Sequence, residues 1–453
     1  MVIRVKLLEI HHAGAQQQPY FVLSKLLSLP VSFQEWISWL KALPWALKWF
    51  PLLVTIRPLI DNLYFLKEVS PLISPPYIVG VGTPLLCLVA IFRFKRFVMN
   101  DIDKAFSYWS VMLILSSLFL LFYDPFSLLS IEFVLKLSMP VYLYFFLRIF
   151  IRDLRDLHGI FQSFLYSAIF IAFLLLYEVL INPISIEDSR GLSRIQGSFG
   201  DVVSYGMYII FTTIIATYFY FSKQHVRSFQ ARLALIVPVV ALSIIALLNI
   251  HHTATYTIFL LLFALFFIFN LQTKNRVFSL TMVVVAGIAL TLWGGELVQE
   301  RIAPLVETDL AVYAGEQDSD KLLHGRVGRW RMMLENFSSE RVWIQFFGYP
   351  LKLDYVFPYI GIGSHNDFIR ILFATGVVGL GFYILILVRI FRQASRMGAA
   401  QRFLLTALFT ALLFYSISVT PTFYAPFMYF TLPIFAYVAL PEKLRLSWNG
   451  RAY

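Results

Sequence analysis

The chain has 453 residues, of which 59% are hydrophobic, 17% are aromatic and only 14% are charged. A soluble domain carries about a quarter charged residues, so this composition excludes an ordinary soluble enzyme or binding module. The net charge of +11 does not indicate nucleic acid, because the basic residues concentrate in short loops between apolar runs. Those runs reach about 20 residues, which is enough to cross a bilayer of roughly 30 Å. The sequence therefore predicts an all-α polytopic integral membrane protein.

The N-terminal region, residues 1–45, predicts a cytoplasmic arm followed by an interfacial helix. Residues 33–50 contain Trp36, Trp39, Trp45 and Trp49. An indole ring is apolar but carries one polar N–H, which suits a membrane interface. No cleavable signal peptide is expected, because the N-terminus is polar and basic. The single cysteine, Cys87, excludes an intrachain disulfide.

About twelve transmembrane helices are predicted in two blocks, residues 46–295 and residues 367–440. A large loop, residues 296–366, separates the blocks, and a short cytoplasmic tail, residues 441–453, follows them. The individual spans are expected at about 46–60, 74–93, 104–123, 128–149, 159–181, 202–221, 232–250, 253–271, 278–295, 367–389, 402–420 and 425–440.

The distribution of Lys and Arg predicts which loops face the cytoplasm. The basic short connections are residues 93–104, 148–158, 222–232, 274–276 and 389–402. The loop at 182–200 and the large loop then lie on the outer side. Arg190 and Arg194 in the shorter outer loop oppose the charge rule, which favours a functional role for them.

The large outer loop is expected to be partly helical. Met332, Met333, Leu334 and Phe337 follow Trp330 with roughly helical spacing, and Ser338 and Ser339 mark the expected end of that helix.

Three short motifs bring polar residues and glycines to the predicted outer side. His365 and Asn366 end the large loop, and Gly376 and Gly379 follow one helical turn apart, a spacing that lets a neighbouring helix approach closely. The other two motifs are Gly325-Arg326-Val-Gly-Arg329-Trp330 and Arg194-Ile-Gln-Gly197-Ser-Phe199.

The residue types in these motifs suit anion binding and proton transfer. A histidine held next to a helix is a candidate general base, although it could instead merely anchor the helix at the interface. Guanidinium groups fork onto phosphate oxygens, so Arg194 and Arg326 could clamp a lipid diphosphate. The alternative is that both arginines pair with loop acids such as Glu187, Asp188 or Glu335.

Together, the three motifs resemble those of the O-antigen ligase and polymerase superfamily, the WaaL-type and Wzy-type enzymes of lipid-linked sugars. The resemblance implies a bacterial inner-membrane glycosyltransferase of the GT-C class whose site faces the periplasm. It implies an undecaprenyl-diphosphate-linked oligosaccharide as donor, a glycan acceptor, inversion at the anomeric carbon, and neither a metal nor another cofactor. Its catalytic residues would be His365, Arg326 and Arg194.

Further polar residues are candidates for substrate binding, namely Arg329, Asn366, His324 and Arg190. Asn366 is expected to orient His365. Asp318-Ser-Asp320 matches an Asp-x-Asp metal motif, but it lies in an acidic run that is more simply a solvated loop. His251 and His252 stand where related proteins carry a Ser-Arg pair, and an interfacial or acceptor-groove role is expected for them.

Within the superfamily, the sequence favours a polymerase, because Arg57-Pro58 with Asp61 is similar to polymerase-like members. The nearest alternative is a ligase that transfers the glycan to lipid A-core. The N-terminal arm is a candidate contact for a chain-length regulator. The alternative from another class is a lipid-linked sugar transporter, which should show charges along a path through the membrane. Only Glu132, Lys136 and Glu178 are predicted to lie mid-span.

Overall fold

The described part of the protein is a bundle of α-helices with one small β-hairpin. The structure, a computed structural model, describes residues 33–63, 65–70, 73–94, 98–123, 128–183, 186–189, 192–196, 199, 201–222, 229–271, 303–349 and 364–445. The helices are α1 (Phe33–Ala42), α2 (Trp45–Asp61), α3 (Leu66–Val69), α4 (Pro75–Arg93), α5 (Asp101–Tyr123), α6 (Leu128–Phe150), α7 (Leu154–Leu180), α8 (Val202–Phe221), α9 (Phe229–Ile250), α10 (Thr253–Leu271), α11 (Ala303–Tyr313), α12 (Leu322–Ser339), α13 (Val342–Phe347), α14 (Asp367–Ala394), α15 (Ala399–Ser418), α16 (Ala425–Val438) and α17 (Glu442–Arg445).

Among the described residues, seven helices are long and apolar enough to cross a membrane, namely α4, α7, α8, α9, α10, α14 and α15. The prediction of a helical membrane protein is thereby confirmed. α2, α5, α6 and α16 coincide with other predicted spans, whereas the span predicted at 278–295 lies outside the described residues. The total of about twelve spans and the GT-C arrangement stay predictions.

α8 lies at the centre of the bundle and is buried around almost its whole circumference. It packs against α7, α9, α10, α15 and α16. Thr212, Thr213 and Thr217 donate to the carbonyl groups one turn earlier, at 2.8, 2.9 and 2.7 Å. The Thr213 hydroxyl also shares a 2.8 Å hydrogen bond with Ser243 of α9. The polar side chains of this central helix are therefore satisfied inside the protein, as a membrane interior requires.

Several loops that are predicted to be cytoplasmic contact one another at one end of the bundle through polar groups. Arg148 of α6 pairs with the fully buried Asp103 of α5 at 2.7 Å. Arg389 of α14 donates to the carbonyl of Asp101, and Asn100 donates to that of Ala439. The basic connections near residues 100, 150 and 390 thus share one face with the end of α16, in agreement with the charge pattern.

Helix α1, which the sequence predicts to be interfacial, docks on the start of α7 at this same end. The indole N–H of Trp36 donates to Ser163 at 3.1 Å, and that of Trp39 donates to Asp156 at 2.9 Å. A Cβ at Gly159 would lie only 2.5 Å from the Trp39 ring, so α7 accepts this tryptophan because residue 159 has no side chain.

The shorter outer loop contains a structure that the sequence did not predict. Strands β1 (Ile186–Ser189) and β2 (Leu192–Ile195) form an antiparallel hairpin in which Glu187 is the register partner of Arg194. Strands of four residues are too short for an alternating pattern to stand out in a sequence, so an all-helical prediction misses them.

Within the large loop, the described residues 303–349 form α11, a 3-10 turn (Ser319–Lys321), α12 and α13. α12 ends at Ser339 as predicted from the two serines. It starts earlier than the hydrophobic pattern indicated, and its first part is not regular, because Leu323, His324 and Gly325 all have positive φ.

Candidate active site

The turn Ser364–His365–Asn366 sets the start of α14. The Asn366 side chain accepts the backbone N–H of Ile369 at 3.1 Å and so caps the helix. The Ser364 hydroxyl donates to the Asn366 carbonyl at 3.0 Å. The sequence predicted that Asn366 orients His365. In the structure, the Asn366 side chain instead binds the Ile369 N–H and fixes the start of α14, next to which His365 lies.

His365 itself has a left-handed backbone, with φ of +46°. Few residues other than glycine adopt this conformation, although His, Asn and Asp do so more often than most. Such strain, of order 1–3 kcal/mol, persists where the surroundings fix the conformation, and it is commonest at functional sites. His365 is also exposed, so its side chain is available at the protein surface.

Two arginines of α12 act on the His365 ring. Withdrawal from water lowers the pKa of His365 from 6.5 to about 4, and the positive charges of Arg326 and Arg329 add to the effect. His365 is only partly withdrawn from water. Substitution of either arginine would test how much its charge contributes to the lowered pKa of His365. At neutral pH the imidazole is uncharged and keeps a free lone pair.

One hydrogen bond joins the two outer motifs directly. The indole N–H of Trp330 donates to the carbonyl of Ser364 at 2.7 Å, immediately before His365. Trp330 also packs on a small apolar cluster, called here the outer cluster, which consists of Met333, Phe337, Ile344, Tyr349, Ile369, Leu372 and Phe373. This cluster fastens α12 and α13 to the first half of α14, so the arginines are held beside the histidine.

A break in α14 completes that attachment. Gly376 has φ of +67° and ψ of −174°, and Gly348 has φ of +85° and ψ of +177°; this region is essentially restricted to glycine. The Tyr349 N–H donates to the Phe373 carbonyl at 2.8 Å, and the Ser116 hydroxyl donates to the carbonyl of Ala374 at 2.8 Å. The carbonyls at the break therefore have partners from outside the helix.

The role predicted for Gly376 and Gly379 is thus partly wrong. A Cβ at Gly376 would overlap the Phe346 carbonyl of α13, and one at Gly379 would overlap Thr375 of α14 itself. The close neighbour is the short outer helix α13, and the break at Gly376 means that the two glycines do not share one regular helical face.

The acidic run before α12 is structural within the described residues. Asp318 caps the 3-10 turn by accepting the Asp320 N–H at 3.1 Å, and Asp320 pairs with Arg331. Asp309 accepts the N–H of Leu323 at 2.6 Å. No group of three or more His, Cys, Asp or Glu with metal-binding geometry occurs in the described part of the chain. His324 lies in the left-handed turn and is half-buried.

Arg194 belongs to a second part of the outer surface. It is buried on β2, which packs against α9. Phe199 of the same motif contacts Tyr205 and Tyr208 of α8, with ring centroids 5.0 and 5.7 Å apart. Arg190 lies outside the described residues.

The Arg57–Asp61 pair noted in the sequence supports this second part. Arg57 and Asp61 are 2.8 Å apart at the outer end of α2, and the Tyr208 hydroxyl donates to Asp61 at 2.9 Å. Because Tyr208 also contacts Phe199, the ion pair is connected to the Arg194 motif through one aromatic ring.

The two adjacent histidines sit next to this region. His251 is buried with φ of +47°. His252 shares a 2.8 Å hydrogen bond with Thr255, whose hydroxyl is 3.2 Å from that of Tyr415. Sequence reasoning named the histidines but not Thr255 or Tyr415, because their association depends on the packing of α10 against α15.

No protein-family model matches this chain, and no curated protein matches it significantly. The functional argument therefore rests on the motifs and on the geometry described above.

We expect Gly376→Ala to lower thermal stability in detergent and to disturb the His365 turn. Alanine would need a glycine-only backbone conformation and would overlap Phe346, and overpacking alone costs about 1–3 kcal/mol. Gly381→Ala on the same helix is the matched control, because nothing lies within 4 Å of its Cβ position. Equal melting temperatures for the two variants would contradict the described break.

Proposed function

We propose that this chain is a membrane glycosyltransferase of the O-antigen polymerase type, which moves glycan from an undecaprenyl-diphosphate-linked donor to the acceptor sugar of another lipid-linked repeat unit. The observation that carries the proposal is the Trp330–Ser364 hydrogen bond, which holds Arg326 and Arg329 close to His365. Two cations beside a neutral imidazole at an outer surface suit a reaction that releases an anion and removes a proton.

The arginines serve the leaving group in this proposal. When the bond between the anomeric carbon and the donor diphosphate breaks, the electron pair leaves with the diphosphate, which needs positive charge rather than a proton. Arg326 and Arg329 are three residues apart on α12, so both can approach one diphosphate. Preorganised charges of this kind stabilise a transition state without reorganising.

His365 serves the acceptor. An acceptor hydroxyl is a weak nucleophile, so its attack on the anomeric carbon gains from a base that takes its proton. The carbon–oxygen bond to the acceptor forms as the bond to the diphosphate breaks, and the ring nitrogen of His365 receives the proton. Attack opposite the leaving group inverts the anomeric configuration.

Donor binding tunes this base. A free imidazole with a pKa of about 4 is uncharged but weakly basic. A diphosphate bound to Arg326 and Arg329 offsets the charges that help to depress the pKa of the ring, so the pKa rises towards 6.5. His365 therefore becomes a stronger base when the donor is in place.

The remaining candidates have supporting roles in the proposal. Arg194 is the third diphosphate ligand; it is buried, and Phe199 of the same motif packs against Tyr208. His324, Asn366 and Arg190 are assigned sugar contacts in this proposal on the strength of the sequence motifs. The mechanism requires no metal or other cofactor.

A ligase that transfers the same glycan to lipid A-core would use the same constellation, so the acceptor distinguishes the two enzymes. Similarity of Arg57-Pro58 and Asp61 to polymerase-like members favours polymerase. The site would lie on the periplasmic side of the bacterial inner membrane.

The decisive experiment is mass spectrometry of the products that purified protein makes in detergent from a defined lipid-diphosphate repeat unit. Lengthened lipid-linked glycan supports a polymerase, and product only after lipid A-core is added supports a ligase. A transporter would make neither.

His365→Ala and Arg326→Ala should lower turnover by about 10²–10⁴-fold, a range typical of the loss of a general base or of a charge that stabilises the transition state. Arg331→Ala is the control, because Arg331 is exposed and pairs with Asp320. Normal turnover in His365→Ala would refute a chemical role.

The tuning of His365 has its own test. Diethyl pyrocarbonate modifies neutral imidazole, so the pH midpoint of His365 modification, followed by peptide mass, reports its pKa. We expect a midpoint near 4, which Arg329→Gln or added inorganic pyrophosphate raises towards 6.5 and Arg331→Gln leaves unchanged. A midpoint near 6.5 in the unsubstituted protein would contradict the described electrostatics.

Orientation can be tested with single cysteines. Asp318 and Arg396 are both exposed, on the large outer loop and on the connection after α14. The native Cys87 is buried and should not react. In intact cells, an impermeant thiol reagent should modify a cysteine at 318 and not one at 396. The reverse pattern would place the site on the cytoplasmic side and exclude the proposed donor geometry.

A further inference from the structure

A buried ion pair lies just behind the His365 turn. Asp367 has no exposed surface and pairs with Arg370 within the first turn of α14. Asp367 also accepts the Thr422 hydroxyl at 2.7 Å, and the same hydroxyl accepts from Arg370. The guanidinium carbon of Arg370 lies 3.4 Å from the ring centroid of Phe423. The start of α14 is therefore tied to the segment between α15 and α16.

That segment is tied in turn to the start of α8. The Tyr424 hydroxyl donates to the carboxylate of Asp201 and lies within electrostatic range of Arg370. Asp201 caps α8 by accepting the Val203 N–H at 2.9 Å, and it comes two residues after Phe199 of the Arg194 motif. Polar contacts and short stretches of chain, called here the path, thus link the His365 turn to the Arg194 motif.

This path is a poor way to gain stability. Burying an ion pair costs desolvation that apolar residues of similar size would not incur. Nε and Nη1 of Arg370, which is 2% exposed, have no hydrogen-bond partner among the described residues. An unsatisfied buried donor costs about 1–3 kcal/mol. The arrangement does fix the relative positions of the segments, because each bond holds one backbone segment against another.

We propose that Arg370, Thr422 and Tyr424 are positioning residues that hold the His365 turn and the Arg194 motif at a fixed separation. The proposal rests on the proposed function, in which His365 serves the acceptor and Arg194 the donor diphosphate. Neither Arg370 nor Thr422 belongs to the three sequence motifs. In reactions that depend on such alignment, a displacement of about 1 Å can cost 10²-fold in rate.

The kinetic test uses Thr422→Val and Tyr424→Phe, which remove single hydroxyl groups and nearly preserve side-chain volume. We expect kcat to fall by about 10- to 100-fold while the KM for the lipid-diphosphate donor changes little, because the arginines that bind the diphosphate remain. Thr420→Val is the matched control, because the Thr420 side chain takes no part in the path. A purely structural role would instead lower the yield and melting temperature of folded protein and leave kcat per folded molecule unchanged, which would overturn the proposal.

A distance measurement tests the same inference without turnover. Spin labels at Ser193 and His365, both exposed, would be placed in a Cys87→Ala background of the full chain. We expect one narrow distance distribution, which broadens or shifts in Thr422→Val and Tyr424→Phe and not in Thr420→Val. An unchanged distribution overturns the positioning role whatever the activity. If the distribution changes but the unlabelled protein, with His365 intact, makes no glycan product, the positioning link stands and the proposed function falls.

Discussion

A helix that breaks within an apolar segment exposes carbonyl groups that lipid cannot satisfy. In α14 this constraint is met by the chain that precedes the helix: the Tyr349 N–H and the Ser116 hydroxyl bind the carbonyls of Phe373 and Ala374. The arrangement exists because Gly348 and Gly376 bring two backbones into contact with no side chains between them. Once α13 is locked onto the break, α12 lies across the first half of α14, and Trp330 reaches Ser364. The approach of Arg326 and Arg329 to His365 is thus a consequence of backbone hydrogen bonding some ten residues away.

The same arrangement explains the electrostatics of the outer surface. Two arginines beside the histidine favour the binding of an anion and also help to keep the imidazole free of its proton. Asp320, just before α12, pairs with Arg331. Asp367 follows His365 by two residues, and its carboxylate is bound by Arg370 and Thr422. These two acids near the site therefore have partners of their own.

Sequence reasoning recovered the parts of this structure that local chemistry determines. Apolar runs located the helices, and the paired serines located the end of α12. The Gly-Arg and His-Asn motifs named Arg326 and His365, whose electrostatic interaction the structure then showed. The failures were non-local. A Gly-x-x-Gly spacing indicates a smooth small-residue face, and only the packing of α13 shows that Gly376 breaks the helix instead. Arg370 passed unnoticed because a charge in a first helical turn is ordinary until its partner, Thr422, is found fifty-two residues later. The hairpin around Arg194 was too short to leave a pattern.

The central position of α8 has a consequence for how the protein is made. Its neighbours α15 and α16 follow it by about two hundred residues, so a ribosome delivers α8 to the membrane long before these two partners exist. During that interval the helix faces lipid with Thr212, Thr213 and Thr217 on its surface. Each hydroxyl already donates to its own helix one turn back, which leaves no donor exposed to hydrocarbon. Because these threonines are satisfied within α8, they do not need water or other partners while the helix lies in the bilayer. The later helices can therefore pack against α8 without displacing such partners from the threonines.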